Sequence, residues 1–243
     1  MASLLDVDGL VKVFGAVRAL DGASFAVEEN TITALIGPNG SGKTTLFNVI
    51  TGYLRPDHGR VRFADRDVTG HDAGKLYRRG LSRTFQQARV FPQLSVQENL
   101  VVAGGYDWRR LFGRRISRAD RERAGHLLDE FRLAGVADLL AAELSYGQRK
   151  LLEFAAVLMS EPTLVLLDEP TAGVNPVLIE TMERHVRERH AAGITFLIVE
   201  HDMSFVMRLC DPVIVLDRGR QIFAGPPSEV QTNSLVLDAY LGA

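Results

Sequence analysis

Residues 37–44 read Gly-Pro-Asn-Gly-Ser-Gly-Lys-Thr, which satisfies the pattern G-x-x-x-x-G-K-[ST]. Its flanks make it binding on the fold. The β-branched run Thr31-Ile-Thr-Ala-Leu-Ile36 precedes it. The segment Lys43–Thr51 follows, with Leu46, Phe47, Val49 and Ile50 on one side and Gly52 as a stop. A strand, a glycine-rich turn and a helix in that order form a phosphate cradle. The glycines Gly37, Gly40 and Gly42 let the Pro38-to-Thr45 backbone curl so that its N–H groups, from Asn39 onward, face an anion, and the helix N-terminus adds a positive dipole end. Lys43 is placed to reach the outer phosphates of a nucleotide, and Thr44 to ligate Mg2+, with Asn39, Ser41 and Thr45 completing the lining. A chance lysine in a glycine-rich turn would not explain the strand and the helix on either side.

The rest of the chain extends this plan. Leu5, Val7 and Leu10–Val13, then Ala23–Val27, read as strands, and Val61–Phe63 with Asp67-Val68 brackets a hairpin turn at Asp65. From about 90 to 160 the pattern turns helical. Ser95 and Glu98 form a capping box before Val96, Leu100 and Val101. Arg118–Arg132 places Leu127, Leu128 and Phe131 at helical spacing, and Tyr146–Met159 is a third helix. Apolar strands return at Thr163–Leu167, Ile194–Val199 and Val213–Leu216, with a proline-started helix at Pro176–Ala191. Continuous apolar strands separated by helices indicate an α/β fold with a parallel sheet covered on both faces. The expected division is one domain, 1–243: a strand-rich core at about 1–89 and 161–243, and a helical insert at about 90–160.

Composition removes several classes. Hydrophobic residues make up 46% and charged residues 24%, which excludes disorder or a fibre as the whole-chain state. The formal net charge is −2, so no global basicity advertises nucleic acid. The single cysteine, Cys210, excludes an intrachain disulfide framework and fits a reducing compartment. No stretch approaches the roughly 18 apolar residues of a spanning helix. Met1–Asp8 has acids and no basic run, so no signal peptide is expected there. Any membrane role then requires a partner.

The apolar run Leu164–Leu167 ends in Asp168-Glu169. A parallel strand delivers its C-terminal end to the ligand crevice. Asp168 is placed to hold Mg2+ directly or through water, and Glu169 to orient or deprotonate an attacking water.

Leu144-Ser-Tyr-Gly-Gln148 lies before a helix and twenty residues ahead of Asp168. It resembles the LSGGQ signature of ABC-type ATPases. The resemblance covers essentially the whole chain, since further motifs fall in order. Phe14 sits where the family stacks an aromatic ring on adenine, Thr84-Phe-Gln86 resembles the Q-loop, Ala172-Gly-Val-Asn175 the D-loop, and His201 the switch histidine. The resemblance implies a RecA-like P-loop core with an N-terminal antiparallel β subdomain and an inserted α-helical subdomain. It implies ATP and Mg2+ as ligands, with Gln86 touching the metal and the water through a neutral carbonyl. Ser145, Gly147 and Gln148 are expected to serve a γ-phosphate across a dimer interface, so that ATP is sandwiched between two subunits. Taken singly, Phe14 equally suits a core position and Ser145 an ordinary helix cap.

Two departures narrow the subfamily. Tyr146 replaces the signature's usual Gly, and Asn175 the D-loop's usual Asp. Both are similar to the ATP-binding subunits of branched-chain amino acid importers, as are Arg83-Thr-Phe-Gln86, Val199-Glu-His-Asp-Met203 and Ala239-Tyr-Leu-Gly242. The likeness implies a second ATP-binding subunit (a copy or a paralogue), transmembrane permease subunits, and indirectly a periplasmic or extracellular solute-binding protein. It places the chain at the cytoplasmic face of the membrane. Urea or amide import, lipid or lipopolysaccharide export, and non-transport ABC ATPases remain as alternatives. The long middle insert, Gly104–Arg123, carries Arg109, Arg110, Arg114, Arg115, Arg118, Arg121 and Arg123. It reads either as a solvated loop entering a helix or as an attractor of phosphate on a partner or lipid surface.

Overall fold

The computed structural model describes residues 3–86, 88–104 and 118–241. The chain opens with two long strands, β1 (Ser3–Phe14) and β2 (Val17–Glu28), then β3 (Ile32–Ile36) and α1 (Lys43–Ile50). A hairpin of β4 (His58–Phe63) and β5 (Arg66–Asp67), the short α2 (Ala73–Tyr77) and β6 (Leu81–Arg83) come next. Three helices follow: α3 (Val96–Ala103), α4 (Arg118–Glu130) and α5 (Tyr146–Leu158). The chain then alternates β7 (Leu164–Asp168), α6 (Pro176–Ala191), β8 (Thr195–Val199), α7 (Met203–Leu209) and β9 (Val213–Asp217). It closes with β10 (Arg220–Gly225), α8 (Pro227–Val230) and α9 (Ser234–Leu241).

The strands form two sheets. One is antiparallel, in the order β2-β1-β4-β5. The other has the order β10-β9-β3-β8-β7-β6, parallel except for β10. Burial follows from this difference. In β2, Ala23, Phe25 and Val27 are buried while Ser24 and Ala26 are exposed, the alternation of a one-faced sheet. All five residues of β3, β7 and β8 are buried, as in a sheet covered on both faces. Alternate residues of the parallel sheet feed two cores. Leu35, Leu166 and Leu197 join α1 and the antiparallel sheet. Ala34, Ile36, Val165, Phe196 and Ile198 join the cluster containing α3, α4, α5 and α7 residues.

Register then builds the crevice. Asp168 pairs with Val199, and Leu35 with Val199 on the other side. Arg83 pairs with Leu166. The C-terminal ends of β6, β7, β8 and β3 therefore lie along one edge, and the loops after them meet there.

Several elements depart from the sequence reading. The helix at Arg118 ends at Glu130, because Arg132 takes a left-handed conformation with φ of 56°. Val68 falls outside the hairpin, whose strands pair Arg62 with Asp67 and Phe63 with Arg66. Ala64 and Asp65 both have positive φ (48° and 60°), the twist a two-residue hairpin turn requires. β6, β10, α2, α7, α8 and α9 add to the elements expected from sequence. Of the arginine-rich insert, Arg118 pairs with Glu122 along α4 and Arg123 with Glu161. Arg109, Arg110, Arg114 and Arg115 lie outside the described residues.

Candidate functional site

The loop between β3 and α1 is shaped by two glycines with no room for a side chain. A Cβ on Gly37 (φ 152°) would fall 2.0 Å from the Leu216 carbonyl oxygen. One on Gly42 (φ 105°) would fall 2.4 Å from the Ala19 carbonyl oxygen. Gly42 is also the residue that caps α1, so its left-handed backbone sets the direction of the helix N-terminus. Pro38 is half-buried, Asn39 and Gly40 exposed, Ser41 buried, Thr44 exposed and Thr45 half-buried.

Lys43 is 7% exposed. Its Nζ donates to the carbonyl oxygens of Gly37 (2.7 Å) and Pro38 (2.9 Å), with Ser41 Oγ at 3.4 Å. Burial lowers its pKa, and the charge of Glu169 acts in the opposite sense. A buried ammonium held by neutral oxygens is suited to an anion. The residues present thus fit a phosphate group.

Thr44, Gln86 and Asp168 line one cleft of about 550 Å3, together with Asn48, Tyr53, Phe85 and Arg83. These three oxygen-bearing side chains fit Mg2+, which takes hard oxygen ligands. Asp168 is 6% exposed, and its Oδ2 accepts from Arg83 Nη2 at 2.6 Å. Arg83 also donates to Asn48 Oδ1 (2.7 Å) and Thr51 Oγ1 (3.1 Å), and lies over the rings of Phe47, Tyr53 and Phe85. The guanidinium thus ties α1 to the end of β7. Thr84 Oγ1 adds a contact by accepting from the Asp168 amide.

Glu169 follows Asp168 in a left-handed conformation, φ 46°, with its amide donating to Val199 O. This turn faces the carboxylate toward two partners. Gln86 Nε2 donates to Oε2 at 2.7 Å, and His201 Nε2 lies 3.0 Å from Oε1. His201 is positioned by Glu200, which is 2% exposed and accepts from the amides of His201 and Asp202 and from the Thr171 amide and hydroxyl.

Phe14 ends β1 as a residue 46% exposed, with Lys12 Nζ over its ring 5.6 Å from the centroid, a surface ring rather than a core residue. Ser145 caps α5: Oγ accepts from the Gln148 amide, and the Ser145 amide donates to Gln148 Oε1. The Ser145 hydroxyl proton and the Gly147 first-turn amide remain for other acceptors. Ser145, Gly147 and Gln148 are not brought to their own chain's Lys43 loop by any of these bonds. The two subfamily departures acquire roles. Tyr146 OH donates to Ala172 O at 3.1 Å, joining signature to D-loop, and Asn175 Oδ1 caps α6 at the Leu178 amide.

The sequence reading passed over Arg83, Glu200, Lys150 and Glu153 as individual residues. The signal for the last two was a Lys and a Glu three apart beside Leu151, Leu152 and Phe154. Elsewhere Glu130, His185 and Glu188 cluster between α4 and α6. Glu130 is already paired with Arg189, and burial lowers the His185 pKa, so this group is an inter-helix brace.

The family model described as "ABC transporter" matches residues 20–172. The chain is 40% identical to the probable branched-chain amino acid transport ATP-binding protein LivG of Methanocaldococcus jannaschii, over 98% of this chain and 97% of the relative. It is 36% identical to the high-affinity branched-chain amino acid transport ATP-binding protein BraF of Pseudomonas aeruginosa, over 98% of each. Among solved structures, a nucleotide-free ATP-binding cassette of an ABC transporter superposes with a TM-score of 0.89 at 37% identity, covering all of both chains. With the cradle, the paired acids and the signature on one such scaffold, the chain belongs to the ABC transporter family.

Proposed function

We propose that the chain is the ATP-hydrolysing subunit of an importer for branched-chain amino acids. The observation that carries the reading is the convergence on one sheet edge of the Lys43 loop, Asp168, and Glu169 held between Gln86 and His201. In this reading Lys43 exchanges its carbonyl partners for phosphate oxygens, and Phe14 stacks on the base. Thr44, Gln86 and Asp168 would hold Mg2+, which would supply charge neutralisation at the phosphates. Glu169 accepts the proton of the attacking water, and His201 and Gln86 fix its carboxylate. Ser145, Gly147 and Gln148 complete the site of a second ATP-binding subunit, another copy or a paralogue.

No helix among the described residues is long and apolar enough to cross a membrane. We therefore assign passage of the solute to permease subunits, reached from the cytoplasmic face, with a solute-binding protein delivering cargo outside. A cleft of about 330 Å3 between the Gln86 segment and α3, lined by Tyr77, Phe85, Phe91 and Val102 with Arg89 and Glu153, suits one or two side chains of a permease helix. The names of the relatives support the amino acid cargo. The test is ATPase activity of the chain assembled with its permeases in liposomes. Stimulation by binding protein loaded with leucine, isoleucine or valine is expected. Stimulation by urea, or by lipid alone, would replace this cargo.

A further inference from the structure

Helix α5 is apolar where it packs, with two exceptions. Lys150 is 3% exposed and Glu153 is 5% exposed. Three residues apart, they share one face of the helix. That face meets the irregular segment after β6. Lys150 Nζ donates to the carbonyl oxygens of Gln86 (2.6 Å) and Phe85 (3.4 Å). Glu153 Oε1 accepts from the amides of Phe85 (3.0 Å) and Arg89 (3.1 Å). Arg89 closes the arrangement by laying its guanidinium 3.7 Å from the Phe85 ring centroid.

A non-helical, non-strand segment has no ladder of its own to satisfy its buried polar groups. Here two side chains of one helix take over that role on both sides of Gln86. An apolar pair would spare the desolvation of two charges but leave these backbone groups unpaired, so the pair serves the conformation of this segment rather than the packing of α5 itself. What the pair fixes is the backbone of the residue whose side chain reaches Glu169 Oε2. The helix that does this starts at Ser145, so one rigid element carries both the signature and the grip on Gln86.

We infer that Lys150 and Glu153 are positioning residues for ATP hydrolysis, clamping the Gln86 backbone to the signature helix so that Gln86 presents its amide to Glu169. This rests on the reading that Gln86 and Glu169 act in hydrolysis. Neither Lys150 nor Glu153 bonds to the Lys43 loop, so nucleotide affinity is separable from their role.

The test uses the full chain and measures kcat alongside the Kd of a fluorescent ATP analogue with and without Mg2+. Lys150→Met and Glu153→Ala should each lower kcat about 10- to 100-fold, the scale of a misplaced catalytic group, with the Mg2+-free Kd within about twofold of wild type. Glu153→Gln keeps an acceptor oxygen and should retain most activity. The Gln86→Ala, Lys150→Met double variant should be no slower than Gln86→Ala alone. Additive losses, a Mg2+-free Kd that weakens in step with kcat, unchanged kcat in Lys150→Met, or Glu153→Gln as slow as Glu153→Ala would each overturn the inference. Wild-type kcat in Gln86→Ala would instead remove the underlying role of Gln86. Where Glu153→Ala fails to fold, the cycle between Lys150→Met and Gln86→Ala decides.

Discussion

Replacing Glu153 by Gln should change how the stability of this protein depends on pH. Glu153 is 5% exposed, and burial pushes its carboxyl up to about 7 from an ordinary 4.5, against the opposing pull of the Arg89 and Phe85 amides, Lys150 and the Arg89 charge. A folded-state pKa above the unfolded one means the native state binds the proton more tightly. The stabilisation is full below pH 4.5 and is lost as pH rises to about 7, the reverse of a salt-bridged carboxylate. The rise from 4.5 to about 7 corresponds to about 3 kcal/mol at 1.36 kcal/mol per unit. Glutamine cannot titrate, and the Lys150 attraction it forgoes acts only on the ionised carboxylate and is already contained in the value of about 7, so the variant itself adds only an offset independent of pH. The assay is urea unfolding of both proteins at a series of pH values from about 4.5 to 8. The stability of Glu153→Gln relative to wild type should climb by about 3 kcal/mol across that window, most of it below pH 7. A difference that stays flat with pH would show that the carboxyl is not buried in the way described.

Further outcomes follow from the same geometry. Lys43→Ala removes the cation of the glycine loop and should abolish binding of ATP in an equilibrium titration; wild-type affinity would count against the cradle. Arg83→Met strands Asp168, whose side chain is 8% exposed, and should cost about 3–5 kcal/mol in urea unfolding, whereas a loss below about 1 kcal/mol would mean a pair of surface strength. Ser145→Arg and Lys43→Ala should each be inactive, yet phosphate release should return in crosslinked mixed dimers, where one composite site is intact. Crosslinked mixed dimers without activity would contradict the signature acting in trans.

Much of this was legible from pattern alone. The Lys43 loop reads from sequence because its chemistry is local: glycines, a lysine and a helix start within eight residues. β3, β7 and β8 read because strands buried on both faces are continuously apolar. β10 did not, since an edge strand half-exposed along its length carries no such run. β6 has three residues, too few for any periodicity. α7 has only seven residues, although Asp202 capping Ser204 and Phe205 was a local sign of it. The partners of the acids were beyond sequence. Arg83 meets Asp168 across 85 positions and Gln86 meets Glu169 across 83, distances that only strand order closes. Tyr146, read as a departure that narrows the subfamily, has a specific partner in the Ala172 carbonyl.

The central claim is that Glu169, held by Gln86 and His201, removes the proton from the attacking water. Single-turnover phosphate release by Glu169→Gln, with ATP affinity measured in parallel, tests it most directly. Glutamine keeps the size and the carbonyl of the side chain, so Gln86 and the nucleotide loop are undisturbed, while the base is lost. The account predicts wild-type affinity for ATP and a release rate lower by about 10²–10⁴. Release at the wild-type rate with ATP bound would contradict it, and the catalytic proton acceptor would have to lie elsewhere.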